Sequence, residues 1–119
     1  MYFEFHHGRK HSWTPSVDVC ERGAEIVIFV EMAGVDRADV QLSWHEGVLT
    51  ISGHKREHSE PDVSCYHCVE RSYGQFRRDI AINIPIEQSL ARAELRDGLM
   101  SIYLPKRTTK PESSSIPIE

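Results

Sequence analysis

The chain has 119 residues, 39% hydrophobic and 27% charged, a composition typical of a single soluble globular domain rather than a disordered or fibrous chain. Its net charge of -4 and its lack of a Lys/Arg stripe predict that neither nucleic acid nor a membrane surface is a partner. The longest purely apolar run, residues 26–30, is too short to cross a bilayer, and residues 1–7 lack the layout of a signal peptide.

Along most of the chain, apolar residues alternate with polar ones at a period of two, which indicates β-strands. The first such run carries Val17 and Val19. Residues 25–31 are apolar on both faces, which predicts a strand that is covered on both sides or lies at an interface. Residues 40–44 and 48–52 follow, and Gly53 is predicted to close the second of these runs.

Three more runs complete the predicted sheet structure. Residues 76–84 form a strand that should end at Pro85, because proline cannot donate to a β-ladder. Residues 91–95 and 99–104 flank Asp97-Gly98, a strong signal for a tight hairpin turn. Six or seven short strands with regular turn signals predict an all-β fold, an antiparallel immunoglobulin-like β-sandwich.

Two segments depart from the strand pattern. Residues 55–64 are polar and charged, which predicts a long exposed loop of functional or disordered character. A polar tail follows Lys106 and ends in Ile116, Pro117 and Ile118. In an extended chain the two isoleucines point to one side and proline restricts the backbone, so the tail is predicted to dock beside a sheet edge.

Three stretches in this order and spacing point to a family. Residues 69–78 read VERSYGQFRR, residues 93–106 read AELRDGLMSIYLPK, and the chain ends in Ile-Pro-Ile. They resemble the V-E-R-x-x-G-x-F-x-R segment, the A-x-x-x-x-G-V-L-x-(I/V)-x-(L/I)-P-K signature and the I-x-I tail motif of the small heat shock proteins, the Hsp20 or α-crystallin domain family. Leu99-Met100 replaces the usual Val-Leu, and Ala33 stands where many bacterial relatives have proline; both changes keep apolar volume.

The resemblance implies an ATP-independent molecular chaperone, or holdase, that binds unfolding proteins, assembles as oligomers of dimers, catalyses no reaction and needs no cofactor. It divides the chain into an N-terminal arm (1–12), an α-crystallin domain (13–106) and a C-terminal extension (107–119). The implied partners are the chain itself, unfolded client proteins and related small heat shock proteins. Three cysteines, an odd set, do not suggest a secreted disulfide framework, so the expected location is cytoplasmic.

The resemblance also assigns roles to residues. One strand within the long loop would cross to the partner subunit and pair with its first strand, around residues 16–19. The terminal motif would dock in an apolar groove of a neighbouring dimer, and the arm would bind clients. The arm is about twelve residues long where the family often has several dozen, which predicts a smaller or less regular assembly and weaker client capacity. The implied residues are Cys65, Tyr66, His67, Cys68 and Val69 for strand exchange; Val40, Leu42, Trp44, Ala91, Ala93 and Leu95 for the groove; Ile116, Pro117 and Ile118 for the tail; and Tyr2, Phe3 and Phe5 for the arm.

The sequence leaves three alternatives to a chaperone. Seven histidines could support an enzyme, but His45, His54 and His58 lie in or beside predicted turns and no catalytic motif accompanies them. A metal or redox site could involve residues 65–68, yet a lone C-x-x-C is weak and its cysteines face opposite sides of a straight strand. An oxidative crosslink of the dimer through this strand stays a hypothesis. A co-chaperone-like binding module on the same fold is the remaining alternative, although the Ile-Pro-Ile end favours the oligomeric chaperone.

Overall fold

A computed structural model describes residues 13–108, and within them the chain forms seven strands in two antiparallel sheets. The strand order is β1-β2-β7-β6 in the four-stranded sheet and β3-β4-β5 in the three-stranded sheet. The predicted all-β antiparallel sandwich is therefore confirmed. The strands are β1 (Val17–Arg22), β2 (Glu25–Glu31), β3 (Val40–His45), β4 (Val48–Lys55), β5 (Gly74–Ala81), β6 (Arg92–Arg96) and β7 (Leu99–Pro105), with single 3₁₀ turns at Arg37–Asp39 and Gln88–Leu90.

The core lies between the two sheets, because alternate residues of the central strands face inward. On β2 these are Ile26, Ile28 and Val30, each at most 3% exposed. The outer face of β2 is partly covered as well, since Val27 is buried between its cross-strand neighbours, while Phe29 is only half-buried. The inward residues of the other elements include Leu49, Ile51, Phe76, Met100, Ile102 and Leu104.

The β6–β7 hairpin has the tight turn that Asp97-Gly98 predicts. Asp97 has φ 51° and Gly98 has φ 79°, so both central residues are left-handed, as a primed two-residue turn requires. Glu46 and Gly47 have the same signature, with φ 47° and 79°, between β3 and β4. Both turns hold an edge strand, β6 or β3, against its inner neighbour.

Strand β4 does not stop before Gly53, so the prediction of a strand closed by this glycine was wrong. The strand continues to Lys55, and Gly53 is paired with Val40 on one side and Phe76 on the other. A β-carbon at this position would lie 2.1 Å from the backbone oxygen of Asp39. Glycine is therefore needed here for a close backbone approach, not to end the strand.

Strand β5 also differs from prediction, since it ends at Ala81 and not at Pro85. After a last hydrogen bond from the Ile82 amide to the Gly47 carbonyl, the chain leaves the three-stranded sheet. It reaches the other sheet at Ile86, which is bridged to Lys106. Ile82 is buried and Ile84 packs against the core during this crossing, so their apolar alternation imitates a strand without any ladder.

Candidate functional site

An open apolar groove runs between the two edge strands β3 and β6. Each of these strands has a single neighbour in its sheet, β4 for β3 and β7 for β6. Leu42 and Trp44 face inward from β3, and Ala93 faces inward from β6. The sandwich does not close here, because the short side chains of Ala91 and Ala93 leave a gap opposite the large side chains of β3.

The groove encloses about 260 Å³, and buried core residues form its floor. Leu42 remains 37% exposed at its mouth, although it lies on the inward face of its strand. Arg92 alone is charged among the lining residues. The full lining consists of Leu42, Ser43, Trp44, Leu49, Ile86, Gln88, Ala91, Arg92, Ala93, Ile102 and Leu104.

The charge of Arg92 is held away from the groove on the outer face of the sheet. Its guanidinium carbon lies 4.2 Å from the centre of the Tyr103 ring, and its Nη1 lies 3.5 Å from a carboxylate oxygen of Glu25. A hydrogen bond from Arg22 and the charge of Arg92 lower the pKa of Glu25. The groove itself is therefore suited to an uncharged apolar segment.

The structure brings together four of the six residues that the family resemblance assigns to the groove. Leu42, Trp44, Ala91 and Ala93 line it. Val40 and Leu95 do not line it; they pack against the hydrophobic core at the ends of their strands.

Sequence reasoning missed the floor and one wall of the groove. Leu49, Ile102 and Leu104 looked like ordinary core positions, and they become groove residues only where the opposing alanines expose them. Ile86 lies just beyond the predicted end of a strand at Pro85, so the strand pattern gives it no inward face. The pattern Pro85-Ile86 before a polar turn was the available signal for a chain that crosses between sheets.

A second exposed feature is the outer edge of β1, which pairs with β2 alone. Val19 faces the inward side of this strand, opposite Ile28, yet it is 48% exposed. An edge strand with unpaired backbone groups and an uncovered apolar side chain is a template for another strand.

The residues predicted for strand exchange lie in the long connection between β4 and β5. Within the single chain that the structure describes, residues 65–69 belong to no strand. Tyr66 is 45% exposed and Val63 is 43% exposed, so this connection presents apolar side chains to solvent. The Cys65 sulfur lies 4.0 Å from Nε2 of His67, and a hydrogen bond with Glu70 raises the pKa of Cys68.

Trp13, the first residue that the structure describes, is attached to strand β5. Its amide donates to the Gln75 carbonyl, its ring lies 5.1 Å from the Phe76 ring, and the Lys55 amine lies 5.6 Å from its centre. The arm and tail residues predicted to function lie outside the described residues: Tyr2, Phe3, Phe5, Ile116, Pro117 and Ile118.

The described part of the chain contains no group of three or more His, Cys, Asp or Glu side chains placed to hold a metal ion. Cys65 and Cys68 are both exposed, and so is Cys20. No helix among residues 13–108 has the length and apolar character needed to span a membrane.

Comparison with known proteins places the chain among small heat shock proteins. Heat shock protein 16 of Schizosaccharomyces pombe is 35% identical over 95 residues, which cover 78% of this chain and 66% of that protein. Small heat shock protein C4 of Rickettsia felis is 33% identical over 94 residues, which cover 79% of this chain and 58% of that protein. Small heat shock protein C2 of the same organism is 30% identical, covering 88% of this chain and 68% of its own length. The chain thus spans roughly three fifths to two thirds of the length of these relatives.

Solved structures agree in fold. Heat shock protein 16.0 from Schizosaccharomyces pombe superposes with a TM-score of 0.73 at 32% identity, covering 90% of this chain and 99% of that one. The hspA protein from Xanthomonas axonopodis gives a TM-score of 0.74 at 28% identity, covering 82% and 98%. Residues 18–119 match the Hsp20/alpha crystallin family. The chain therefore belongs to this family, the small heat shock proteins, which are chaperones of the stress response rather than enzymes.

Proposed function

We propose that this chain is an ATP-independent holdase that binds exposed apolar segments of unfolding proteins and prevents their aggregation. The observation that carries the proposal is the groove between β3 and β6, which leaves an apolar floor open to solvent in a folded domain. An exposed apolar groove in a folded domain marks a site that binds another polypeptide segment, and a chaperone requires such a site. Its edge strands also offer unpaired backbone groups to an extended peptide.

The chain carries its own ligand for this groove in the terminal Ile116-Pro117-Ile118. Burying each isoleucine contributes at most about 1.5–3 kcal/mol, and ordering each backbone residue costs roughly 1–2 kcal/mol. One docked tail is therefore weak and reversible. Many tails on one assembly act at high effective concentration, so together they can link dimers into an oligomer that still exchanges subunits.

Tail and client then compete for one site. A tail that leaves the groove exposes its floor, and an extended apolar segment of an unfolding protein can take its place. This step needs no nucleotide, which fits a sequence without a G-x-x-x-x-G-K-S/T loop. The aromatic arm residues Tyr2, Phe3 and Phe5 are further candidates for client contact.

The dimer is proposed to form by strand exchange between subunits. The unpaired edge of β1 and the exposed Val19 supply the acceptor, and residues 65–69 supply a segment that pairs with nothing in its own sheet. Adding this strand to β1 of the partner would pair the backbone groups of the edge and cover Val19. Related small heat shock proteins with the same edge are further partners, and the cytoplasm is the proposed location.

Suppression of aggregation tests the proposal. The chain should prevent light scattering by a heated model client at equal mass, without ATP, and added ATP should change nothing. Ala93→Arg, which places a charged side chain in the groove, should lower this suppression. A chain that assembles but does not suppress aggregation would contradict the holdase and favour a co-chaperone-like binding module on the same fold.

A further inference from the structure

Cys20 neither lines the groove nor belongs to the hydrophobic core. It is exposed on β1, and it faces the outer side of the four-stranded sheet because it is paired with Val27. Its thiol makes one hydrogen bond, to the Val27 carbonyl at 3.5 Å. On its other side is the unpaired edge of β1, where the proposed exchanged strand would lie.

The apolar side chains of β1 and of residues 65–69 determine the register in which these two segments would pair. All neighbouring strands in both sheets are antiparallel, so residues 65–69 are taken as antiparallel to β1 of the partner. Val17 and Val19 are the apolar residues on the inward face of β1, and Val17 already packs against the core. Val19 is thus the residue in need of an apolar cover, and Tyr66 is the exposed aromatic that can supply it.

Placing Tyr66 opposite Val19 fixes every other pair. A shift by one residue would put Tyr66 on the outer face, opposite Asp18 or Cys20, and leave Val19 uncovered. In this register the imidazole of His67 would also lie opposite the carboxylate of Asp18, on the outer face of the sheet. The pairs are Cys65 with Cys20, Tyr66 with Val19, His67 with Asp18 and Cys68 with Val17.

We infer that Cys20 of one subunit and Cys65 of the other form an interchain disulfide when the dimer meets a peroxide. The inference rests on the proposed strand exchange. Directly opposite residues in an antiparallel pair have Cα atoms about 4.5 or 5.5 Å apart, and a disulfide accepts about 4.4–6.8 Å. Because a twofold dimer repeats each contact, the two subunits would be joined twice.

Cys65 suits this chemistry better than Cys68. In the selected register Cys65 lies on the outer face of the sheet, on the same side as Cys20. The carboxylate of Glu70 raises the pKa of Cys68 and so disfavours its thiolate. In the selected register Cys68 also faces the core side of the sheet, away from Cys20.

The reaction balances with one peroxide for each disulfide. The Cys65 thiolate attacks the peroxide oxygen, which gives a sulfenic acid and releases hydroxide, or water once protonated. The Cys20 thiol of the partner then attacks the sulfenic sulfur, which forms the S–S bond and releases a second water. Two thiols are oxidised and one peroxide is reduced. The product locks the exchanged strand in place, so oxidised dimers should no longer exchange subunits.

The test uses the full chain, reduced and then treated with hydrogen peroxide. Non-reducing gels should show a band at twice the chain mass that dithiothreitol removes, and peptide mass mapping should identify the peptide pair joined through Cys20 and Cys65. Cys20→Ser and Cys65→Ser should each lose the band. Cys68→Ser is the matched control and should keep it.

Other results would overturn the inference. These are no dimer-mass band from the wild-type chain, a band that survives in Cys20→Ser, or a monomer made lighter by two hydrogens through a Cys65–Cys68 bond. Light scattering of the Ala93→Arg chain in reductant separates this failure from that of strand exchange, because this change removes tail docking and leaves the dimer as the expected species. A reduced dimer of this variant whose wild-type parent does not crosslink leaves strand exchange standing, whereas a reduced monomer contradicts strand exchange itself.

Discussion

Gly53 shows how a single residue sets the spacing between strands. A β-carbon there would meet the Asp39 backbone oxygen at 2.1 Å and the Phe76 ring at 2.7 Å, and neither the backbone nor a buried ring can move away easily. Gly53→Ala should therefore destabilise the domain by about 1–3 kcal/mol. The measurement is the midpoint of denaturant unfolding. His54→Ala, at the next and exposed position, is the control and should change stability by less than about 0.5 kcal/mol; equal effects would contradict the close approach.

Asp79 is the residue for which pH dependence can be stated. Hydrogen bonds from Arg77 and Thr50 lower the pKa of its carboxyl. The folded state thus favours the charged form, so the contribution is present above the ordinary pKa of about 3.9 and is lost as pH falls through the lowered folded value.

Asp79→Asn should accordingly reduce stability at neutral pH and lose less of it on acidification. Unfolding midpoints at about pH 7 and about pH 3 measure both effects. Glu57→Gln, in the exposed connection, is the control and should follow the wild-type curve. A variant curve parallel to wild type would show that the hydrogen bonds at Asp79 contribute nothing.

At the scale of elements, the groove depends on which face of β6 a side chain occupies. Ala93 faces the groove and Glu94, one residue later, faces the outer side of the sheet. In a chain ending at Lys110, which has no tail of its own to occupy the groove, Ala93→Arg should abolish binding of a fluorescent peptide copying residues 111–119, whereas Glu94→Arg should leave it within about twofold. Fluorescence anisotropy measures both. Loss of binding in both variants, or in neither, would place the tail elsewhere.

The strands themselves could be predicted because each carries a local signal. Alternation located β1 and β3, an apolar run located β2, and Asp97-Gly98 between two runs located the β6–β7 hairpin. The end of β5 could not be predicted, since Ile82 and Ile84 keep the alternation while the backbone passes between sheets. Gly53 was misread because close approach of Asp39 is a contact distant in sequence.

The groove could be predicted only in part, because local patterns indicate its walls but not its floor. Its two walls, at Leu42, Trp44 and Ala93, follow from the family resemblance and from strand alternation. Its floor does not, because Ile102 and Leu104 have the same inward pattern as any core residue of β7. Exposure of the floor depends on the small size of the alanines on the neighbouring strand, a relation between elements that periodicity does not contain.

At the scale of the whole molecule, the four-stranded sheet has two edges, β1 and β6, and each has a separate role in the proposed assembly. The edge of β1 faces one direction in the sheet order and β6 the opposite one, so the proposed dimer formation and the proposed tail docking would use different strands. Strand exchange would make the dimer, and the terminal isoleucines would link dimers. The same groove would receive clients when the tails leave.

The native mass of the chain tests this account most directly. Light scattering should find an assembly of several dimers for the intact chain and a single dimer for a chain ending at Lys110, because truncation removes Ile116 and Ile118. Adding the Ala93→Arg change to the intact chain should give the same dimer. If the intact and truncated chains have the same number of subunits, the tail does not link dimers and the central claim is contradicted.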